Sequence, residues 1–250
     1  MKAAPLAALV VGGTSGIGKA IAQHMIRDGA RVVIAGRNSD RARCVAHELG
    51  CGVMAVTGDA GDPVQCSTIV NAAHDHLGRI DALFSCAGGN PMPRLLASIP
   101  LTDIMGTINR SLAPTVLPMR AVLPIMTAQG GGSILSVASD AGKVATPGEV
   151  PIGAAMAAII MFTRAMAYET KRQGVRVNCL TPSIVDGTAL HDRLMEDEFA
   201  GKLFSKAKRL AHLGVVQPED LAEMAAFLAS HRACKITGQA ISITGGISAI

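Results

Sequence analysis

The stretch Val10-Val11-Gly12-Gly13-Thr14-Ser15-Gly16-Ile17-Gly18 decides the reading of this chain. It closes a short β-branched run (6–11) and opens an amphipathic segment (17–28) that stops at Gly29. Glycines at such a junction allow a tight turn and let backbone N–H groups approach an anion at the positive end of the following helix. Taken alone, a glycine-rich turn fits any sharp strand-to-helix connection. Between a first strand and a first helix it predicts a seat for the pyrophosphate of a dinucleotide.

Working outward, the same alternation repeats. Residues 31–35, 53–57, 82–85, 133–137, 175–180 and 240–243 have the continuous apolar, β-branched character of buried strands. Helical segments lie between them at 39–49, with Gly50 as its stop, and at 63–77, 102–128, 151–173 and 218–229. Strand–helix alternation with right-handed crossovers predicts an α/β fold. The expected form is a Rossmann-like, doubly wound parallel sheet of about seven strands in the order 3-2-1-4-5-6-7. All of 1–250 is expected to form one dinucleotide-binding domain, since no repeat, low-complexity tract or linker interrupts it. Pro114, Pro118 and Pro124 fall inside the 102–128 segment and predict a bent or broken helix. Residues 183–214 are the least periodic part. They fit a lid over a pocket or, equally, a solvated helix pair.

Composition narrows the function classes. Of 250 residues 49% are hydrophobic and only 17% charged, so a large core is available; with no Trp, one Tyr and five Phe, aliphatic side chains must fill it. The net charge of +4 is spread without a Lys/Arg run, which argues against a nucleic-acid partner. No apolar stretch reads as a membrane span: the longest, around 152–166, has Arg164 near its end and glycines at its flanks. Cys44, Cys51, Cys66, Cys86, Cys179 and Cys234 are scattered, without Cys-x-x-Cys or histidines at ligand spacing. That predicts free thiols, no metal and a cytoplasmic protein. The start of the chain lacks the pattern of a secretory signal.

Gly12-x-x-x-Gly16-Ile17-Gly18 resembles the fingerprint of the short-chain dehydrogenase/reductase family, with Val11 where that family usually has Thr. The resemblance runs over essentially the whole chain. It implies that Gly12, Thr14, Ser15, Gly16, Ile17 and Gly18 hold a cofactor, and that Asp59 and Ala60 border its adenine. Ala87 and Gly88 would keep the family's Ala-Gly turn, although its two preceding asparagines become Ser85 and Cys86. Pro182 and Val185 would lie beside the nicotinamide, Pro182 being followed by Ser183 instead of the usual Gly. The second strand ends Gly36-Arg37-Asn38, with no acidic residue for the ribose hydroxyls of NAD(H). Arg37 offers a forked cation to a 2′-phosphate, so NADP(H) is the expected cofactor.

The family's catalytic set is Asn-Ser-Tyr-Lys. Asn109 and Ser139 match its first two members. The tyrosine and lysine should follow in a Tyr-Gly-Ala-Ser-Lys frame, and here that frame reads Ile152-Gly153-Ala154-Ala155-Met156. Tyr168, with Lys171 three residues on, lies more than four helical turns further along and is a decoy. The tyrosine of the family exchanges the substrate proton, and its lysine lowers the phenol pKa and binds the nicotinamide ribose. General acid–base catalysis is worth about 10²–10⁴-fold, so generic ketones and aldehydes are expected to react slowly or not at all. A water held by Ser139 is the simplest substitute acid, and Asp140, Lys143, Glu149 and His191 are polar residues expected near the pocket that the sequence alone does not place.

Two functions follow. One is an NADP(H)-dependent carbonyl/alcohol oxidoreductase with an atypical proton donor, acting on an apolar small molecule. The other is a family member without redox activity, either a dehydratase, isomerase or cyclase, or a cofactor-binding regulatory subunit. The resemblance, with the apolar segments 102–128 and 151–173, also implies a homodimer or homotetramer.

Overall fold

The computed structural model describes residues 5–50, 52–89 and 91–250, so Cys51 lies outside the described residues. β1 (Ala7–Val11) is buried throughout. Its side chains alternate between two apolar layers: Ala8 and Val10 join one, and Ala7, Leu9 and Val11 join the other. That is why the run is apolar at every position instead of at every second one.

β1 pairs in parallel with β2 (Arg31–Gly36) on one side and β4 (Ala82–Ser85) on the other. β3 (Met54–Thr57), β5 (Gly132–Val137), β6 (Val175–Pro182) and β7 (Ala240–Ile243) complete a seven-stranded parallel sheet in the order β3-β2-β1-β4-β5-β6-β7. The order reverses between β1 and β4. At such a switch point the connections leave in opposite directions and open a crevice at the C-terminal strand ends.

One layer packs α1 (Gly16–Arg27), α2 (Ser39–Leu49) and α8 (Pro218–Ala229) on the sheet through Ile21, Met25, Val45 and Leu221. The other packs α3 (Pro63–Leu77), α4 (Leu101–Ala128) and α5 (Val150–Thr170) through Ile69, Met119, Met126 and Met166. Single-domain, Rossmann-like order was thus the correct expectation.

α4 is not broken. It runs unbroken for 28 residues with Pro114, Pro118 and Pro124 inside it. Each proline removes one intrahelical bond, and the rest hold because the helix is packed along the sheet, with Thr115, Pro118, Met119 and Val122 buried. α4 and the segment Val150–Gln173 are also long and apolar enough to cross a membrane by length and composition alone, with hydropathies of 1.2 and 1.7. The sequence reading set 152–166 aside for Arg164 and its flanking glycines and did not weigh 102–128. Part of that apolarity belongs to the sheet layer and to contact between the two helices.

Segment 183–214 folds as two helices, α6 (Ala189–Glu196) and α7 (Glu198–Leu210). They share a small core of Ile184, Leu194, Ala200 and Phe204, so the pair is not fully solvated. Asp197 caps α7, accepting from the N–H groups of Phe199 and Ala200 at 3.1 and 2.9 Å. Cys44, Cys66, Cys86, Cys179 and Cys234 are free thiols.

Candidate active site

A cavity of about 830 Å³ opens at the switch point. Its first wall is the turn between β1 and α1. A Cβ on Gly12 would come within 2.7 Å of the Ala87 nitrogen, and one on Gly18 within 2.3 Å of the Gly12 oxygen, so only glycine lets these backbones touch. Gly12 also has φ +84. Ser15 precedes α1 without making a side-chain cap, which leaves the first-turn N–H groups without that partner. An uncapped helix start on a glycine cradle fits an anionic group such as a pyrophosphate.

At one end the wall holds Arg37, Asn38 and Arg41, and, on the next strand end, Asp59 and Ala60. The Asn38 side chain accepts from the Arg41 N–H at 2.8 Å, capping α2 beside both guanidinium groups. A Cβ at Gly36 would lie 2.7 Å from the Thr14 side chain, so an acidic residue there would also collide with the turn. Asp59 turns back on its own loop and accepts from the Gly61 N–H at 2.8 Å.

The middle of the wall is the β4–α4 contact. The Ser85 hydroxyl donates to the Thr115 carbonyl at 2.7 Å, and the Thr115 hydroxyl donates to the Ala87 carbonyl at 2.9 Å. The half-buried Cys86 thiol is pushed up to about 12 by desolvation, which removes it as a nucleophile.

At the far end stand Ser139, Asp140, Glu149, Ile152 and Met156. Ser139 follows β5, and its hydroxyl oxygen accepts from the Ala141 N–H at 3.2 Å, leaving its proton free to be given. Asp140 is 5% exposed, with Oδ1 lacking a partner among the described residues. Desolvation pushes the Glu149 carboxyl up to about 7, opposed only by a hydrogen bond from Thr146. α6 and α7 roof this end with Leu190, Leu194, Leu203 and Phe204. The Phe199 ring fills the space beside Gly148, where a Cβ would lie 2.5 Å from it. Arg94 ties the same corner: its N–H donates to the Gly148 carbonyl at 2.8 Å, and its guanidinium meets Asp197 at 2.8 Å.

Comparison with known proteins agrees with this geometry. Residues 11–248 match a family model described as Enoyl-(Acyl carrier protein) reductase. The chain is 33% identical over 242 residues to dehydrogenase/reductase SDR family member 4 of Pongo abelii, covering 96% of this chain and 86% of that protein. It belongs to the short-chain dehydrogenase/reductase family of oxidoreductases. It is also 31% identical to a 7alpha-hydroxysteroid dehydrogenase of Bacteroides fragilis over 246 residues, covering 96% and 93% of the two. The structure of 3-ketoacyl-(acyl-carrier-protein) reductase from Brucella melitensis complexed with NADH superposes with a TM-score of 0.88 at 28% identity, covering 98% and 99% of the chains.

In this short-chain dehydrogenase/reductase every residue singled out from the sequence as cofactor-binding lines one cavity: Gly12 to Gly18 by way of Thr14 and Ser15, Arg37, Asn38, Asp59, Ala60, Ala87, Gly88, Pro182 and Val185. Ser139, Asn109, Ile152 and Met156 line it too, but Asn109 only from the exposed rim of α4. The residue that α4 turns inward is Ser111, 1% exposed, whose hydroxyl donates to the Thr107 carbonyl at 3.2 Å. Two residues along a helix are about 200° apart, so 109 and 111 cannot both face the sheet. Ser111 shares its stripe with Thr115, four residues on. That spacing was the available signal.

Arg41, one helical turn past the noted Arg37, was missed as well. Lys143 lies outside the wall; its ammonium is held by the Ala240 carbonyl and the Ser242 hydroxyl at 2.7 and 2.9 Å. The Tyr168–Lys171 pair is a surface cation–π contact of 4.4 Å, with the ring 77% exposed.

Proposed function

We propose that this protein binds NADP(H) and interconverts a carbonyl and an alcohol on an apolar small molecule, without the family's tyrosine–lysine pair. The observation that carries this reading is the single cavity joining Arg37, the phosphate cradle and Ser139 under an apolar roof. Bound there, the nicotinamide would supply or accept hydride. The chain's own residues do the rest. Backbone N–H groups at the start of α1 neutralise pyrophosphate, and Arg37 with Arg41 answers a 2′-phosphate. The Ser139 hydroxyl donates to a carbonyl oxygen and fixes its direction. Leu190, Leu194, Leu203 and Phe204 exclude water and favour an apolar body.

Ile152 and Met156 stand in the frame where the family carries tyrosine and lysine, and neither can move a proton. Their aliphatic wall also favours a second reading, a cofactor-binding member without redox chemistry. The exposed Met105 on α4 and Met161, Phe162 and Tyr168 on α5 support assembly as a homodimer or homotetramer. Paired titrations with NADPH and NADP⁺, followed by a turnover screen on apolar ketones and secondary alcohols, test the assignment. Tight binding with turnover supports the first reading. Binding without turnover supports the second, and no binding defeats both.

A further inference from the structure

We propose that Glu149 is the proton donor of the reduction, delivering to the substrate oxygen the proton that no group at position 152 can give. The proposal rests on the carbonyl/alcohol reading above. Of the polar groups that could serve, the structure sets Lys143 and His191 apart from Glu149. Lys143 is turned away to β7. His191 has both ring nitrogens engaged: Nδ1 lies 3.1 Å from Asp192 Oδ1, and Nε2 lies 3.0 Å from Lys208 Nζ and 3.3 Å from Asp186 Oδ1. Asp140 sits beside Ser139 at the end of β5, with the Lys143 cation as neighbour.

Glu149 starts α5, and its carbonyl accepts from the Gly153 N–H at 2.6 Å, which sets its place on the helix. Ile152 and Met156, four residues apart on one stripe of α5, line the same cavity as Glu149 at its N-cap. Helical side chains lean toward the N-terminus, so a long side chain at 152 would end over the turn that Glu149 begins. Glu149 thus enters the cavity from the N-cap of α5, one turn before the position where Ile152 stands.

It also stands in a suitable medium. Besides Glu149, the charged and titratable groups lining the cavity on this side are Asp140 from the β5 side, Arg110 from α4 and His191 from α6; Arg94, in the loop before α4, is committed to Asp197. Glu149 forms no ion pair among the described residues. Desolvation leaves the carboxyl at about 7, matched to an acid working near neutrality. In the reduction a hydride from the nicotinamide dinucleotide joins the carbonyl carbon while the C=O π bond breaks. The oxygen takes the Glu149 proton, and the carboxylate is reprotonated from solvent. Oxidation runs the same steps backwards.

The test measures NADPH-dependent reduction of cyclohexanone, acetophenone and a 7-oxosteroid between pH 5 and 9, with NADPH affinity measured alongside. In the unmodified protein reduction should fall about tenfold per pH unit above about 7. Glu149→Gln should lower kcat by about 10²–10⁴-fold and flatten that profile at unchanged NADPH affinity, with Glu149→Asp recovering part of the rate. Parental kcat and profile in Glu149→Gln would overturn the assignment and leave the oxidoreductase reading standing. No turnover by the unmodified protein on any of the three would overturn both. If Glu149→Gln does not fold, a parental profile without a group titrating near 7 overturns the proposal by itself.

Discussion

The Ser85 hydroxyl lies 2.7 Å from the Thr115 carbonyl oxygen, and both residues are fully enclosed. The bond fastens the end of β4 to the middle of α4, and Thr115 returns the tie through its own hydroxyl to Ala87. Side chains of half the family's usual length thus still fix the Ala87–Gly88 turn against the dinucleotide cradle. Ser85→Ala should cost roughly 1–2 kcal/mol in urea unfolding and weaken NADPH binding, because the turn loses its anchor. Unchanged binding in a destabilised variant would confine the tie to folding.

Arg37 and Arg41 flank the Asn38 cap at one end of the cavity. Arg37→Ala should weaken NADPH more than NADH, and the double change Arg37→Ala with Arg41→Ala should remove most of the preference. Calorimetric titration of both dinucleotides reads this out. Equal losses for the two would defeat the NADP(H) assignment.

Ile152 and Met156 point into the cavity from one stripe of α5. Introducing Ile152→Tyr together with Met156→Lys should raise ketone reduction, most clearly on a Glu149→Gln background, where about 10²-fold or more should return. Either change alone should do much less: a phenol without the lysine keeps a pKa near 10, and a lysine alone has no phenol to activate. Steady-state kinetics on the four combinations decide it.

Glu149 also bears on stability. Its folded carboxyl sits at about 7, against a usual 4.5, so the folded chain binds the proton more tightly than the unfolded one. Stability from this group is full below about 4.5 and is lost as pH rises through about 7. Glu149→Gln should therefore be more stable than the parent at pH 8 by about 1–3 kcal/mol, with the gap closing toward pH 5. Urea unfolding at both pH values measures it.

The first turn was readable in sequence because its glycines are marked by their own spacing. Gly18 meets the backbone of Gly12 and Gly12 meets that of Ala87 at the end of β4, and nothing but glycine fits. The strand order followed from continuous apolar runs, which need cover on two faces. What stayed hidden depends on rotation and packing. Whether Asn109 or Ser111 faces inward is set by how α4 lies on the sheet, and the isolation of Glu149 exists only once α7 and the loop at Arg94 close around its neighbour. The three prolines of α4 do not break it because one face is packed on the sheet, support that a lone helix would lack.

Gly148 and Phe199 meet as notch and latch. The ring occupies the volume that a side chain at 148 would claim, and the next residue along the chain is the acid itself. Seated against Gly148, the ring brings α7 up to the start of α5, one residue before Glu149. Wedging the notch with Gly148→Ala, where φ is +83 and the ring is in the way, should let water back and return Glu149 toward ordinary acidity. The pH at which reduction fails would then move downward from about 7, so the enzyme would be charged with its proton only while it is closed.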